Sequence, residues 1–350
     1  MASKLKITTH SIPASSIRLF NSKNKNKPLR ISVNSYNPVI ENHQDDNDND
    51  NDNDDNDDNS KITIIFAHAT GYHKEVWEPI IRGLNEKRGK RWSGGTMYAL
   101  DATNHGDSAI LNQDILPDSF KWTDYARDIL QVIDHFNIKG PIVGVGHSLG
   151  GCAILMAELF RSGTFSALVS IDPVLYPFKV KQYNSFSSVL SRRDVWPNRE
   201  AVKSSFLRHT FFRAWDPEVL DLHVQYGLRD LPSGEVTLKC PKDQESYVFE
   251  HDHDTVFDAF TGLPEIQCPI LFITGSRSFS INPQDSALLK ASRCKNGHLI
   301  IINCGHLVPL EKPHETMETI SNFISHNYFV NEFEANRVNE IIDRVISAKL

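Results

Sequence analysis

The sequence predicts an α/β protein: a mostly parallel, doubly wound sheet with a helical cap inserted after the sixth strand. Three observations carry that reading. Apolar runs the length of buried strands alternate with helical stretches. The run Gly144-Val145-Gly146-His147-Ser148-Leu149-Gly150-Gly151 stands between one such strand and one such helix. A segment of about ninety residues, 176–264, then breaks the alternation before it resumes.

The elements follow in order. Residues 4–9 and 17–20 have the pattern of edge strands, with Pro13 between them. Residues 61–67 form an apolar strand that ends in His68-Ala69-Thr70-Gly71, and residues 96–100 a second that runs into Asp101-Ala-Thr-Asn104-His105-Gly106-Asp107-Ser108. Residues 124–136 and 152–160 have helical character and supply crossovers between the strands at 140–144, 166–171 and 268–274. A last strand at 298–302 leads to Gly305-His306 and a helix start at Pro313. The resulting division is 1–40, N-terminal strands; 41–60, a disordered Asn/Asp insertion; 61–175, first part of the core; 176–264, the cap; 265–330, second part of the core; and 331–350, a polar helix and tail.

Composition narrows the classes. No run of 18 apolar residues offers a membrane span. The net charge of -7 is misleading, because nine aspartates lie between Asp45 and Asp58 and the remainder carries about +2. That tract holds too little apolar surface to fold. It also lacks the glycine turn and closing glutamate of a calcium loop. The basic residues form no aromatic-interleaved patch, so no nucleic-acid partner is expected. Five scattered cysteines read as reduced thiols rather than a disulfide framework, with Cys152 as buried filler behind Ser148.

The two ends bear on address. Residues 1–30 carry seven Lys or Arg and no acid, a composition shared with mitochondrial transit segments, although an ordinary first strand fits as well. The last three residues, Ala348-Lys349-Leu350, are a variant of the S-K-L peroxisomal address. The expected location is therefore the peroxisomal matrix, with an import receptor as partner, and mitochondrion or cytoplasm as alternatives.

The chemistry concentrates at strand ends, where ligands bind in such sheets. A G-x-S-x-G turn between strand and helix projects the serine toward a base, which makes Ser148 the candidate nucleophile and His306 the candidate general base. A carboxylate must hold the imidazole in one tautomer and stabilise the imidazolium. The loop 275–284 contains none before Asp285, so Asp172, at the end of the preceding strand, is assigned as the acid with Asp285 as the alternative. Glu250-His251-Asp252-His253-Asp254 has metal-like spacing but no further ligand nearby, and reads as a solvated polar loop. No cofactor and no metal are expected. The cap aromatics Phe178, Trp196, Phe206, Phe211, Phe212 and Trp215 fit either an apolar substrate pocket or the cap's own core.

The set Trp77-Glu78, Asn104-His-Gly-Asp-Ser-Ala109, Trp122-x-Asp124-x-Ala-Arg127-Asp128, Gly146-His-Ser-x-Gly-Gly151, Asp172-Pro-Val174, Gly275-x-Arg-Ser278 and His306-Leu-Val resembles the yeast peroxisomal lipase-like serine hydrolases of the α/β-hydrolase superfamily. The resemblance spans residues 29–350. It implies the α/β-hydrolase fold with a cap, a Ser-acid-His triad, peroxisomal import, and esterase or lipase action on a small-molecule or lipid ester. Two residues depart from the pattern: Ala69 stands where the His-Gly turn of these enzymes has Gly, and Asp172 where the relative carries Glu.

The expected mechanism is acyl transfer to water, with the oxyanion met by the backbone N–H groups of Leu149 and Thr70 while His68 braces the turn. Because His306 must be neutral to accept a proton, activity is expected to fall as the pH drops through the ordinary imidazole range. An acyl-CoA thioesterase is the first alternative, for which Arg192, Arg193, Lys179 and Lys181 are available to meet phosphates; a non-catalytic ligand-binding protein is the second. Epoxide hydrolases and dehalogenases of this fold need a carboxylate at position 148, which Ser148 excludes.

Overall fold

The computed structural model describes residues 4–18, 22–24, 26–39, 61–88, 94–178, 186–250, 253–279 and 283–329. The Asn/Asp tract 41–60, Lys179, Lys181, His251, Asp252 and the tail 331–350, with Ala348, Lys349 and Leu350, lie outside the described residues.

The strands are β1 (Leu5–Pro13), β2 (Arg30–Pro38), β3 (Ile62–Ala67), β4 (Gly94–Leu100), β5 (Ile142–His147) and β6 (Ala167–Ile171), then three short ones in the insertion, β7 (Val195–Trp196), β8 (Leu228–Asp230) and β9 (Val236–Leu238), and finally β10 (Ile270–Gly275) and β11 (Gly297–Ile302). Eight of them form one sheet in the order β1-β2-β4-β3-β5-β6-β10-β11. β1 pairs antiparallel with β2, and β2 with β4. The rest are parallel, and β3, β5, β6 and β10 are buried along their whole length, which is why each reads as an unbroken apolar run.

Helices α1 (Glu78–Lys87), α2 (Gly106–Asn112), α3 (Trp122–His135) and α4 (Leu149–Phe160) follow β3, β4 and β5. In β3 the side chains of Ile65 and Ala67 join the core packed on α3 and α4, while Ile64 and Phe66 join the core on the opposite face with α1 and the C-terminal helix. This is the two-residue alternation of a strand covered on both sides.

Of the edge strand expected at 17–20, Ile17 and Arg18 belong to no strand, and Leu19 and Phe20 lie outside the described residues. The strand that pairs with β1 is β2, at Arg30–Pro38, in register from Leu5 opposite Pro38 to Pro13 opposite Arg30. Ile17 is 72% exposed, and Arg18 turns inward, donating to Asp128 at 2.8 Å with both side chains almost fully buried. That segment is therefore anchored by an ion pair to α3 rather than by a ladder.

The insertion comprises α5 (Phe186–Ser191), α6 (Arg199–Phe206), α7 (Thr210–Arg213), α8 (Pro217–Tyr226), α9 (Lys242–Glu250) and α10 (His253–Gly262), together with a three-stranded antiparallel sheet, β7-β9-β8. Local chemistry sets its helix starts. Asn198 accepts the Ala201 N–H at 2.9 Å, and Asp216, followed by Pro217 at the first helical position, accepts the Glu218 N–H at 2.9 Å. Trp196, Phe206 and Trp215 are buried, in one apolar cluster with the α1 face of the main sheet, whereas Phe178 and Phe211 are exposed. The chain closes with α11 (Pro283–Arg293), α12 (Val308–Glu311) and α13 (Pro313–Phe329). Among the described residues no helix is long and apolar enough to cross a membrane, and no two of the five cysteines form a disulfide.

Candidate active site

Ser148 is the hinge between β5 and α4. Its backbone sits at φ 53° and ψ -111°, in the left-handed half of the map where a side chain costs about 1–3 kcal/mol. The turn is held by the Ser148 N–H donating to the Ile171 carbonyl at 2.9 Å and the Cys152 N–H donating to the Ser148 carbonyl at 3.0 Å. A side chain at Gly146 is impossible here, because its Cβ would lie 2.2 Å from the Gly150 carbonyl oxygen. The glycines thus permit the close approach that lifts Ser148 to the end of the sheet.

The Ser148 hydroxyl lies 3.0 Å from His306 Nε2, and His306 Nδ1 lies 2.9 Å from Asp172 Oδ2. With Nδ1–H donating to the carboxylate, Nε2 presents its lone pair to the serine hydroxyl, which donates to it. Asp172 follows β6 with a φ of 40°, and its N–H donates to the Ile273 carbonyl at 2.7 Å. The His306 loop is held twice. The His147 Nε2–H donates to the His306 carbonyl at 2.9 Å, and the Gly305 N–H donates to Glu311 at 2.9 Å. Burial keeps the His147 imidazole well below its ordinary pKa, so it acts as a neutral donor. The Phe279 ring packs 4.3 Å from the His306 ring, centroid to centroid. The alternative acid, Asp285, is exposed in the first turn of α11.

The His68-Ala69-Thr70-Gly71 turn faces the elbow and is braced by two buried imidazoles. His68 accepts the Ala102 N–H on Nε2 at 3.1 Å and donates from Nδ1 to the Ala69 carbonyl at 2.7 Å. Burial pushes its pKa down to about 3, which leaves it neutral. His105 accepts the Gly71 N–H on Nε2 at 2.9 Å and donates from Nδ1 to Asn104 Oδ1 at 2.8 Å. Thr70 therefore sits between Ala69 and Gly71, both of which are fixed by ring nitrogens.

Beneath this turn lies a buried ionic network that sequence reasoning missed. Lys74 is fully buried, yet it contacts Glu75 at 2.7 Å, Asp101 at 3.1 Å and Asp107 at 2.7 Å. Burial would lower its pKa, but the three carboxylates outweigh burial and hold it above the ordinary lysine value. Lys239, from the insertion, joins Asp107 at 2.5 Å. His73 Nδ1–H donates to Glu75 at 2.9 Å, and its Nε2 lies 3.2 Å from Nδ1 of His223 of α8, the two rings stacking 5.3 Å apart. The signal was present in the Asn104–Ala109 motif, whose residues carry the resemblance and here prove to be braces. Arg192 is engaged with Glu245, and Arg193 donates to the Val195 carbonyl and covers the Trp196 ring.

A serine on a strand-to-helix turn, a histidine after the last strand and a mostly parallel sheet define a hydrolase scaffold. The family model described as "Alpha/beta hydrolase family" matches residues 64–319, and the chain belongs to that family. It is 31% identical over 240 residues to the type I acyl-CoA thioesterase mpaH of Penicillium roqueforti, covering 66% of this chain and 52% of that one. The chain thus spans about half the length of the thioesterase relatives it matches. It is 23% identical over 313 residues to the peroxisomal membrane protein LPX1 of Saccharomyces cerevisiae, covering 81% and 80% of the two chains. The crystal structure of the peroxisomal alpha-beta-hydrolase Lpx1 from the same yeast superposes with a TM-score of 0.78 at 21% identity, over 98% of this chain and 97% of that one.

Proposed function

We propose that the protein is a serine hydrolase that cleaves carboxylic esters of lipid-like acyl groups through Ser148, His306 and Asp172. The observation that carries the reading is the continuous chain from the Ser148 hydroxyl through His306 to Asp172, at 3.0 and 2.9 Å. His306 Nε2 takes the hydroxyl proton as Ser148 Oγ attacks the ester carbonyl. The oxyanion meets the N–H of Leu149, an amide at the start of α4 with no intrahelical acceptor, and that of Thr70 in the braced turn. Collapse expels the alcohol, protonated by His306. Water, activated by the same imidazole, then cleaves the acyl-enzyme to release the acid and restore Ser148. Asp172 stays ionised throughout, holding the tautomer and stabilising the imidazolium.

The relative named as an acyl-CoA thioesterase favours a second substrate class, acyl thioesters, for the same machinery. The likeness to LPX1 and the terminal Ala348-Lys349-Leu350 support a peroxisomal location, with an import receptor reading the tail.

Hydrolysis of p-nitrophenyl esters of increasing acyl length, beside palmitoyl-CoA, tests the reading. Turnover by wild type that Ser148→Ala removes is the expected result, and the preferred substrate assigns the class. Turnover surviving in Ser148→Ala would refute the nucleophile. Deleting the last three residues is expected to move a fluorescent fusion from peroxisomes to cytosol.

A further inference from the structure

Behind the acid of the triad lies a lysine that the mechanism does not use. Lys290, in the last turns of α11, is 5% exposed and flanked on its helix by the buried Ala287 and Ala291. Its ammonium donates to the Pro173 carbonyl at 3.0 Å. With Asp172, Val174, Ser278 and Phe279 it lines a shallow cleft at the edge of the site. An aliphatic residue would normally fill such an inward position on an amphipathic helix. Lys74, also buried, is compensated by three carboxylates, whereas Lys290 donates to one carbonyl and feels the charge of Asp172.

Burial pushes the Lys290 ammonium down to about 8, with the Asp172 and Cys152 charges acting in the opposite direction. It is therefore still charged at neutral pH. The sign of its effect on stability is unfavourable: below pH 8 the folded chain holds a buried charge that the unfolded chain leaves in water. A group that costs stability beside a reacting site is placed there for what it does to that site.

We propose that Lys290 is a positioning residue for the triad. Its ammonium ties down the Pro173 carbonyl, fixing the left-handed backbone of Asp172, and its charge favours ionised Asp172 with neutral His306 over the protonated pair. The inference rests on the triad reading above. Among the described residues, the titratable groups facing Lys290 are Asp172 from the loop after β6 and Cys152 from α4, while Cys294, just past the end of α11, donates to the Lys290 carbonyl. Those facing His306 are Asp172 and His147.

The test follows the rate at which diethyl p-nitrophenyl phosphate phosphorylates Ser148, releasing p-nitrophenolate, from pH 5 to 8 at low ionic strength. It compares wild type, Lys290→Met, Lys290→Gln and Lys290→Arg, with a melting curve for each. The charge-free variants are expected to shift the acid limb up by about one pH unit. Their plateau rate is expected to fall on the order of tenfold. Lys290→Arg, which keeps the charge, is expected to hold the limb within about 0.3 unit. Lys290→Met is expected to melt no lower than wild type at pH 7. An unmoved limb in the charge-free variants, an equal shift in Lys290→Arg, or loss of fold in both charge-free variants would each overturn the proposal. Failure of wild type itself to become labelled would overturn the triad reading instead, and this one with it.

Discussion

Gly106 is the position where one added methyl group should do the most damage to the loop beneath the site. Its φ is +49°, which costs an alanine about 1 kcal/mol more than glycine. An added Cβ would also lie 2.5 Å from Cγ and both oxygens of the Asp101 carboxylate. Asp101 has nowhere to go. It accepts the Lys74 N–H at 2.8 Å, the Lys74 ammonium at 3.1 Å and the Asp107 N–H at 2.8 Å. Displacing it strips a fully buried lysine of one of its partners, a change that costs about 3–5 kcal/mol when a buried pair is broken. Gly106→Ala should therefore destabilise by roughly 4–6 kcal/mol, lowering the thermal midpoint by on the order of 10 °C. Differential scanning fluorimetry reads this directly, with urea unfolding for the free energy. A midpoint within about 2 °C of wild type would show that the Asp101 network yields without cost, and would refute the account of the loop.

Asp172→Asn keeps the shape of the acid but not its charge, and should lower kcat by roughly 10³- to 10⁴-fold with little change in KM, measured with a p-nitrophenyl ester. His147→Phe removes the donor to the His306 carbonyl and should lower kcat about tenfold while costing about 1 kcal/mol of stability. Burial holds His68 and His223 at pKa values of about 3. The unfolded chain binds their protons from about pH 6.5 downward while the folded chain does not, so stability falls as the pH drops from about 6.5 toward 3. Each should contribute about 2 kcal/mol of loss by pH 5. In urea titrations at pH 7 and pH 5, His223→Phe should reduce that loss by its own share, and an unchanged loss would contradict the assignment.

The parts of the fold legible in the sequence are those where the physics leaves a one-dimensional trace. Strands covered on both faces, such as β3 and β10, read as continuous apolar runs. Ser148, Asp172 and His306 could be read as neighbours because each follows a strand of one sheet. β2 escaped because Ser32, Asn34 and Ser35 interrupt its apolar pattern. Their polar groups are satisfied from afar, with the Ser32 N–H on Ser108 and the Asn34 amide toward Glu75. The strands of the insertion, two or three residues long, carry no periodicity at all. Lys74 and Lys290 resemble surface lysines until the fold closes over them, since burial of a charge is a property of partners distant in sequence.

The central claim is that Ser148 is an activated nucleophile, and active-site titration with a serine-directed fluorophosphonate, read by intact mass and peptide mapping, tests it most directly. The account predicts one equivalent of label on Ser148, lost in Ser148→Ala and strongly slowed in His306→Ala, with all three proteins folded. Folded wild-type protein that takes no label, or takes it at another residue, would contradict it.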